Sequence, residues 1–172
     1  MKGTLEQAGQ RWQLRFTREL NHSAARVWQA ITEPGHLEAW FPQRITGEWV
    51  VGGPLTFSDP QGRGPDFGGE VLACEPPSLL EFRWGPDVIR LEIADRGAGC
   101  TLTLLDTFDE LGKAARDAAG WHVCLEFLAS HLDQVPGPPG SRWAEVHPGY
   151  VSSFGPAASA IGVPPGYEPA DS

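Results

Sequence analysis

Two side chains in this sequence are suited to proton chemistry if a fold brings them together, Asp106 and His122. Asp106 shares the parity of Leu102, Leu104 and Phe108, so on a strand it projects with its apolar neighbours. His122 follows Trp121 and lies about 100° round a helix from it, on the flank of an apolar stripe. A carboxylate beside an imidazole raises the His pKa and serves general acid–base catalysis or the anchoring of a polar ligand. Each residue also has a plainer reading, Asp106 as a strand-end group satisfied by loop backbone and His122 as a partly exposed helix residue. Other chemistry is thinly represented. His22, His36, His122, His131 and His147 show neither HxxxH nor HxH spacing, and His122 and His131 fall on nearly opposite sides of a helix, so no metal is expected. There is no Gly-x-Ser-x-Gly, and Ser152-Ser153 has no local base. Gly62-Arg63-Gly64-Pro65 lacks the Lys-Ser/Thr of a phosphate loop and reads as a mobile hairpin tip or a gate. No cofactor is expected. Asp106, Asp109 and Glu110, near Lys113, Arg116 and Asp117, read as the solvated start of a helix, where negative charge suits the dipole.

These residues need elements to hold them. Trp12, Leu14, Phe16 and Arg18 alternate with Gln13, Arg15 and Thr17, which predicts a strand over 12–20. Ser23 is the preferred N-cap of a helix over 24–32 that carries Val27, Trp28 and Ile31 on one face. Pro34 stops it by pushing Glu33 out of helical geometry. A second short helix over 35–39 brings Leu37 and then Trp40-Phe41-Pro42 inward. Strands follow over 44–51, 54–58, 67–75, 79–84, 88–94 and 100–108, separated by short Gly- and Pro-rich turns, which implies an antiparallel meander. Leu80, Phe82 and Trp84 oppose Glu81 and Arg83, and Ile89, Leu91 and Ile93 oppose Arg90 and Glu92, so one face is buried and the other wet. A helix over 113–132 then places Trp121, Leu125, Leu128 and Leu132 on one stripe, each worth about 1.5–3 kcal/mol when fully buried. That stripe can bury only against the apolar face of the sheet. The expected fold class is α+β, a curved antiparallel sheet of about seven strands gripping a long C-terminal helix, with two short helices after the first strand.

Composition narrows the partners. With 13 Lys and Arg against 22 Asp and Glu, the chain carries a formal charge of −9, which repels nucleic acid and anionic lipid. No apolar run approaches the roughly 18 residues of a membrane span, so no membrane insertion is expected. The start, Met1-Lys2-Gly3-Thr4-Leu5-Glu6-Gln7, lacks an apolar signal core, and Cys74, Cys100 and Cys124 read as reduced core thiols. Both features point to the cytoplasm. Lys2 and Lys113 are the only lysines, and with abundant Ala, Gly and Pro they point to a GC-rich bacterial genome. The 172 residues, 41% of them apolar, suit one domain over 1–135, ended by Val135-Pro136-Gly137-Pro138-Pro139-Gly140. The extension 136–172 holds eight of the 16 prolines. Within it Trp143, Val146, Tyr150 and Phe154 keep near-helical spacing interrupted by Pro148-Gly149, predicting one or two short docked turns. Loose order is expected from Gly155 onward.

At this point the motifs resemble a known family. Val27-Trp28-x-Ala30-Ile31-Thr32-x-Pro34-x-x-Leu37-x-x-Trp40-Phe41-Pro42 is similar to the amino-terminal signature of the SRPBCC (START-like, helix-grip) superfamily, in its AHSA-type branch, named for homology to activators of a heat-shock-protein ATPase. Gly69-Glu70-Val71-Leu72-x-x-Glu75-Pro76-Pro77-x-x-Leu80-x-Phe82-x-Trp84 and Gly120-Trp121-x-x-x-Leu125-x-x-Leu128 fit as well, and the resemblance spans roughly 11–133. It implies the helix-grip fold. It leaves function open, since the superfamily includes lipid carriers, hormone receptors, aromatase/cyclases and chaperone activators. Many relatives carry His at the position of Asp106, where this chain departs.

A helix lying across a curved sheet can leave an internal cavity, the usual form of a small-molecule site. The candidate lining is Trp40, Phe67, Phe82, Trp84, Phe108, Trp121, Leu125 and Leu128, with Asp106 and His122 as polar anchors. The same aromatics equally suit a solid core, and Trp28 reads as plain packing. The leading expectation is non-catalytic binding of a small hydrophobic or amphipathic molecule, lipid included. The alternatives are a polyketide cyclase/dehydratase-like enzyme using Asp106 and His122, and a chaperone-activator-like interaction module. A homodimer is left open.

Overall fold

The computed structural model describes residues 2–163. Strands β1 (Thr4–Ala8), β2 (Arg11–Leu20), β3 (Arg44–Thr46), β4 (Pro54–Ser58), β5 (Phe67–Glu75), β6 (Leu79–Trp84), β7 (Asp87–Asp95) and β8 (Cys100–Phe108) form one antiparallel sheet in the order β1-β2-β8-β7-β6-β5-β4-β3. Helices α1 (Ala24–Thr32) and α2 (Pro34–Leu37) connect β2 to β3. The long helix α3 (Ala114–Asp133) follows β8 after a 3-10 turn at Leu111–Lys113, and α4 (Arg142–Phe154) follows α3. This is the α+β helix-grip fold.

Local chemistry sets these elements. The Ser23 hydroxyl accepts the Arg26 N–H at 3.2 Å and caps α1, while Glu33, at φ −80° and ψ 132°, leaves helical geometry just before Pro34. Gly85, at φ 58°, makes the tight β6–β7 turn. On β7, Asp87, Ile89, Leu91 and Ile93 are buried in alternation, and on β8 Leu102, Leu104, Asp106 and Phe108 face the same core. The register sets Asp106 between Leu14 of β2 and Ile89 of β7, well inside the sheet. It is therefore not a strand-end group satisfied by loop backbone.

Several boundaries differ from the sequence reading, most by a single residue and these by more. The sheet has eight strands instead of about seven, because Thr4–Ala8 carries too little apolar alternation to announce an edge strand, yet pairs with β2 throughout. The strand expected over 44–51 ends at Thr46, and the second helix begins at Pro34 and ends at Leu37. Position N1 of a helix tolerates proline because its N–H has no intrahelical partner there. Most consequential, the tail forms one continuous helix of 13 residues instead of short interrupted turns. Pro148 lies on its exposed side, and burial of Tyr150 with packing of Trp143, Val146 and Phe154 outweighs the roughly 3 kcal/mol that an interior proline costs. The expectation of loose order from Gly155 falls partly on 164–172, outside the described residues; before that, Ala157–Ser159 forms a 3-10 turn with Ala158 buried.

Candidate functional site

The interior between the sheet and α3 is occupied by the chain's own side chains. Trp40, Phe82, Phe108, Leu125 and Leu128 are all buried in one core. The Phe41 ring sits among Phe57, Phe82, Trp84 and Trp121, with centroid separations of 6.2, 6.1, 6.3 and 5.7 Å. Phe67 stacks on Phe57 at 5.2 Å and meets Trp84 at 6.0 Å.

Open volume lies beside α3. A cleft of about 540 Å³ is bounded by Pro42 and Gln43, by Trp84 at the end of β6, by the α3 flank carrying Arg116, Asp117, Gly120, Trp121 and Cys124, and by Trp143 of α4, with Val163 at its edge. Of the residues expected to line a site, Trp84 and Trp121 do so. The loop over 59–66 contributes no lining residue, and Arg63 there pairs with Asp59. Sequence reasoning missed Trp143, Arg116 and Gly120. The available signal was Gly120 itself: a glycine inside a long helix is costly unless room is needed beside it.

Beneath the cleft lies a buried carboxylate group. Trp121 Nε1 donates to Asp106 Oδ2 at 2.9 Å, and Asp106 is wholly buried. One oxygen from each of Asp87, Asp106 and Asp117 lies within 4.8 Å of the others. Lys113 Nζ reaches Asp87 Oδ2 at 2.6 Å and Asp117 at 3.5 Å, so its ammonium already provides a cation among these carboxylates. Burial, with the charges of Asp87 and Asp117 added, pushes the Asp106 carboxyl well above its usual range. Asp106 Oδ1 is buried and accepts from no donor, in keeping with a carboxyl whose neutral form is favoured. Asp106 and Asp117 thus belong to a buried cluster, not to the solvated helix start expected; Asp109 and Glu110 alone are exposed.

His122 faces elsewhere. Gly3 N donates to Tyr150 Oη at 2.8 Å, and Tyr150 Oη lies 2.8 Å from His122 Nδ1, while His122 Nε2 is 3.3 Å from Glu126. The network assigns Nδ1 as acceptor from Tyr150 and Nε2 as donor to Glu126. Arg142 grips Glu126 with two nitrogens, closing a chain from Gly3, just before β1, through α4 to α3. Burial pushes His122 below its usual pKa against the pull of Glu126. No hydrogen bond or ion pair joins Asp106 to His122, and neither lines the cleft. Cys124 does line it, but burial pushes its thiol up to about 12, which leaves it un-ionised and a poor nucleophile at neutral pH.

Comparison with known proteins then places the chain. Residues 21–133 match the family described as activator of Hsp90 ATPase homolog 1-like protein, from the end of β2 to the end of α3. The chain belongs to this family, the AHSA type of the SRPBCC superfamily. Among curated proteins nothing matches it. Among solved structures it is similar to the conserved protein of unknown function EF2215 from Enterococcus faecalis, at 18% identity and TM-score 0.76, over 89% of this chain and 90% of that one. CalU16 from Micromonospora echinospora is 23% identical with TM-score 0.69, over 89% and 94%. DynU16, from the dynemicin biosynthetic locus, is 26% identical with TM-score 0.63, over 70% of this chain and 47% of that one. Among the described residues no helix is long and apolar enough to cross a membrane.

Proposed function

We propose that the chain binds a small hydrophobic or amphipathic molecule, without catalysing its conversion, in the cleft between α3, the end of β6 and α4. The lining carries this reading: the indoles of Trp84, Trp121 and Trp143 border about 540 Å³, inside the roughly 300–1,000 Å³ of small-molecule sites. Membership of the SRPBCC superfamily supports a ligand-binding domain, and DynU16, from a biosynthetic locus, is in keeping with a small molecule as partner. The acid–base alternative loses support because Asp106 is sealed behind Trp121 and His122 is spent on Tyr150 and Glu126. The interaction-module alternative loses support because Tyr150 is buried and Trp143 packs on the body. A cytoplasmic location fits three cysteines without disulfides.

Titration with the neutral dye N-phenyl-1-naphthylamine tests the reading. Saturable dye fluorescence at one site, weakened by Trp143→Ala, is expected. Absence of binding by the folded wild-type chain contradicts it.

A further inference from the structure

We propose that the ligand of this cleft is an anion, a flat aromatic carboxylate, and that Arg116 selects it. The proposal rests on the cleft being the binding site. It follows from which polar groups in the lining are already engaged.

The side-chain acceptors are taken. Gln43 Oε1 accepts from Trp84 Nε1 at 2.9 Å, and Asp117 Oδ1 accepts from Arg116 Nε at 2.8 Å while its other oxygen faces Lys113. The donors are left over. The Gln43 amide keeps its N–H2 group, and Arg116, one of whose five N–H donors is used, has no other hydrogen bond among the described residues. A cationic ligand meets only engaged acceptors, and an apolar ligand leaves the terminal guanidinium nitrogens without a partner. A carboxylate takes two parallel N–H bonds from the terminal nitrogens, the strongest pairing available to an arginine. Asp117 holds the guanidinium in place through Nε, which is the geometry that presents both terminal nitrogens together.

The apolar lining favours a flat ring system. Trp84 and Trp121 lie 5.3 Å apart at 57°, forming an angled wall. Trp143 stacks one face on His147 at 4.3 Å and 19°, which fixes the indole where it borders the cleft. Beside Trp121 on the same helix, a Cβ at Gly120 would meet nothing within 4 Å, so the backbone there is bare along the lining.

Three probes on one ring system test this by calorimetry in about 0.15 M salt: anthracene-2-carboxylate, its near-isostere anthracene-2-carboxamide, and 2-(aminomethyl)anthracene. The wild-type chain is expected to bind the carboxylate about tenfold or more tightly than the carboxamide, the scale of a charge-assisted pair, with the ammonium weakest. In Arg116→Gln that preference for the carboxylate over the carboxamide is expected to vanish. Equal binding of carboxylate and carboxamide by the wild type, or a preference that survives Arg116→Gln, overturns the anion proposal and leaves the binding reading standing. Failure of all three probes to bind the wild type overturns both. The wild-type comparison needs no variant to fold.

Discussion

Gly120 offers a perturbation whose two effects have opposite signs. It sits inside a 20-residue helix, where glycine costs about 0.8–1 kcal/mol relative to alanine. A Cβ there meets nothing within 4 Å, so Gly120→Ala gains the helix term with no clash to set against it. The expected stabilisation is about 0.5–1 kcal/mol, or roughly 1–4 °C in Tm for a chain of this size. Gly120→Leu keeps that gain but projects four carbons into the cleft. If they displace about four ligand atoms at about 0.3 kcal/mol each, affinity for N-phenyl-1-naphthylamine falls roughly sevenfold to tenfold. Thermal unfolding followed by dye titration reads both quantities on the same samples. A destabilised alanine variant, or a leucine variant that binds the dye as tightly as wild type, refutes the reasoning that this glycine keeps the cleft open.

Other outcomes follow from the buried networks. Tyr150→Phe strips the acceptor from Gly3 N–H and the donor from His122, and chemical denaturation should show a loss of about 1–3 kcal/mol. Trp121→Phe removes the donor to Asp106 Oδ2 and should cost a similar amount, roughly 1–3 kcal/mol, with the cleft enlarged. Asp106 is raised in the folded state, so it is protonated in both states at low pH and stability falls as pH rises above the usual 3.8, where the unfolded carboxyl ionises first. Asp106→Asn mimics the neutral acid and escapes that loss, so its stability relative to wild type should climb between pH 3 and pH 7; a constant difference across that range counts against a buried proton. His122, held neutral, works in the opposite direction: stability should decline as pH falls below 6.5, where the unfolded imidazole takes its proton first, and His122→Gln should flatten that slope.

Regular periodicity made most of the fold legible. Ile89, Leu91 and Ile93, or Trp121, Leu125 and Leu128, declare their faces by spacing alone, and the signature around Trp40-Phe41-Pro42 matches the family found. Asp87 escaped notice because Gly85-Pro86-Asp87 has the composition of a turn, although its side chain continues the inward parity of β7. The direction of His122 was hidden for a related reason. Its flank of α3 is the one that α4 covers, and Pro148 disguised α4 as broken turns. Spacing tells that Trp143 and Tyr150 share a helical face, but not which surface that face meets. Hence Trp143, the wall of the cleft, was beyond pattern reading. Nor does composition reveal whether aromatic side chains line a space or fill it; here Phe41 closes the interior and leaves the opening at the side.

Each of the seven tryptophans gives its own indole N–H resonance, which makes the account's central claim directly measurable by heteronuclear NMR during titration with N-phenyl-1-naphthylamine. The signals of Trp84, Trp121 and Trp143 should move together and saturate with the dye. Movement centred instead on Trp40 and Trp49, which do not line the cleft, or no movement at any indole, would contradict a binding cleft beside α3.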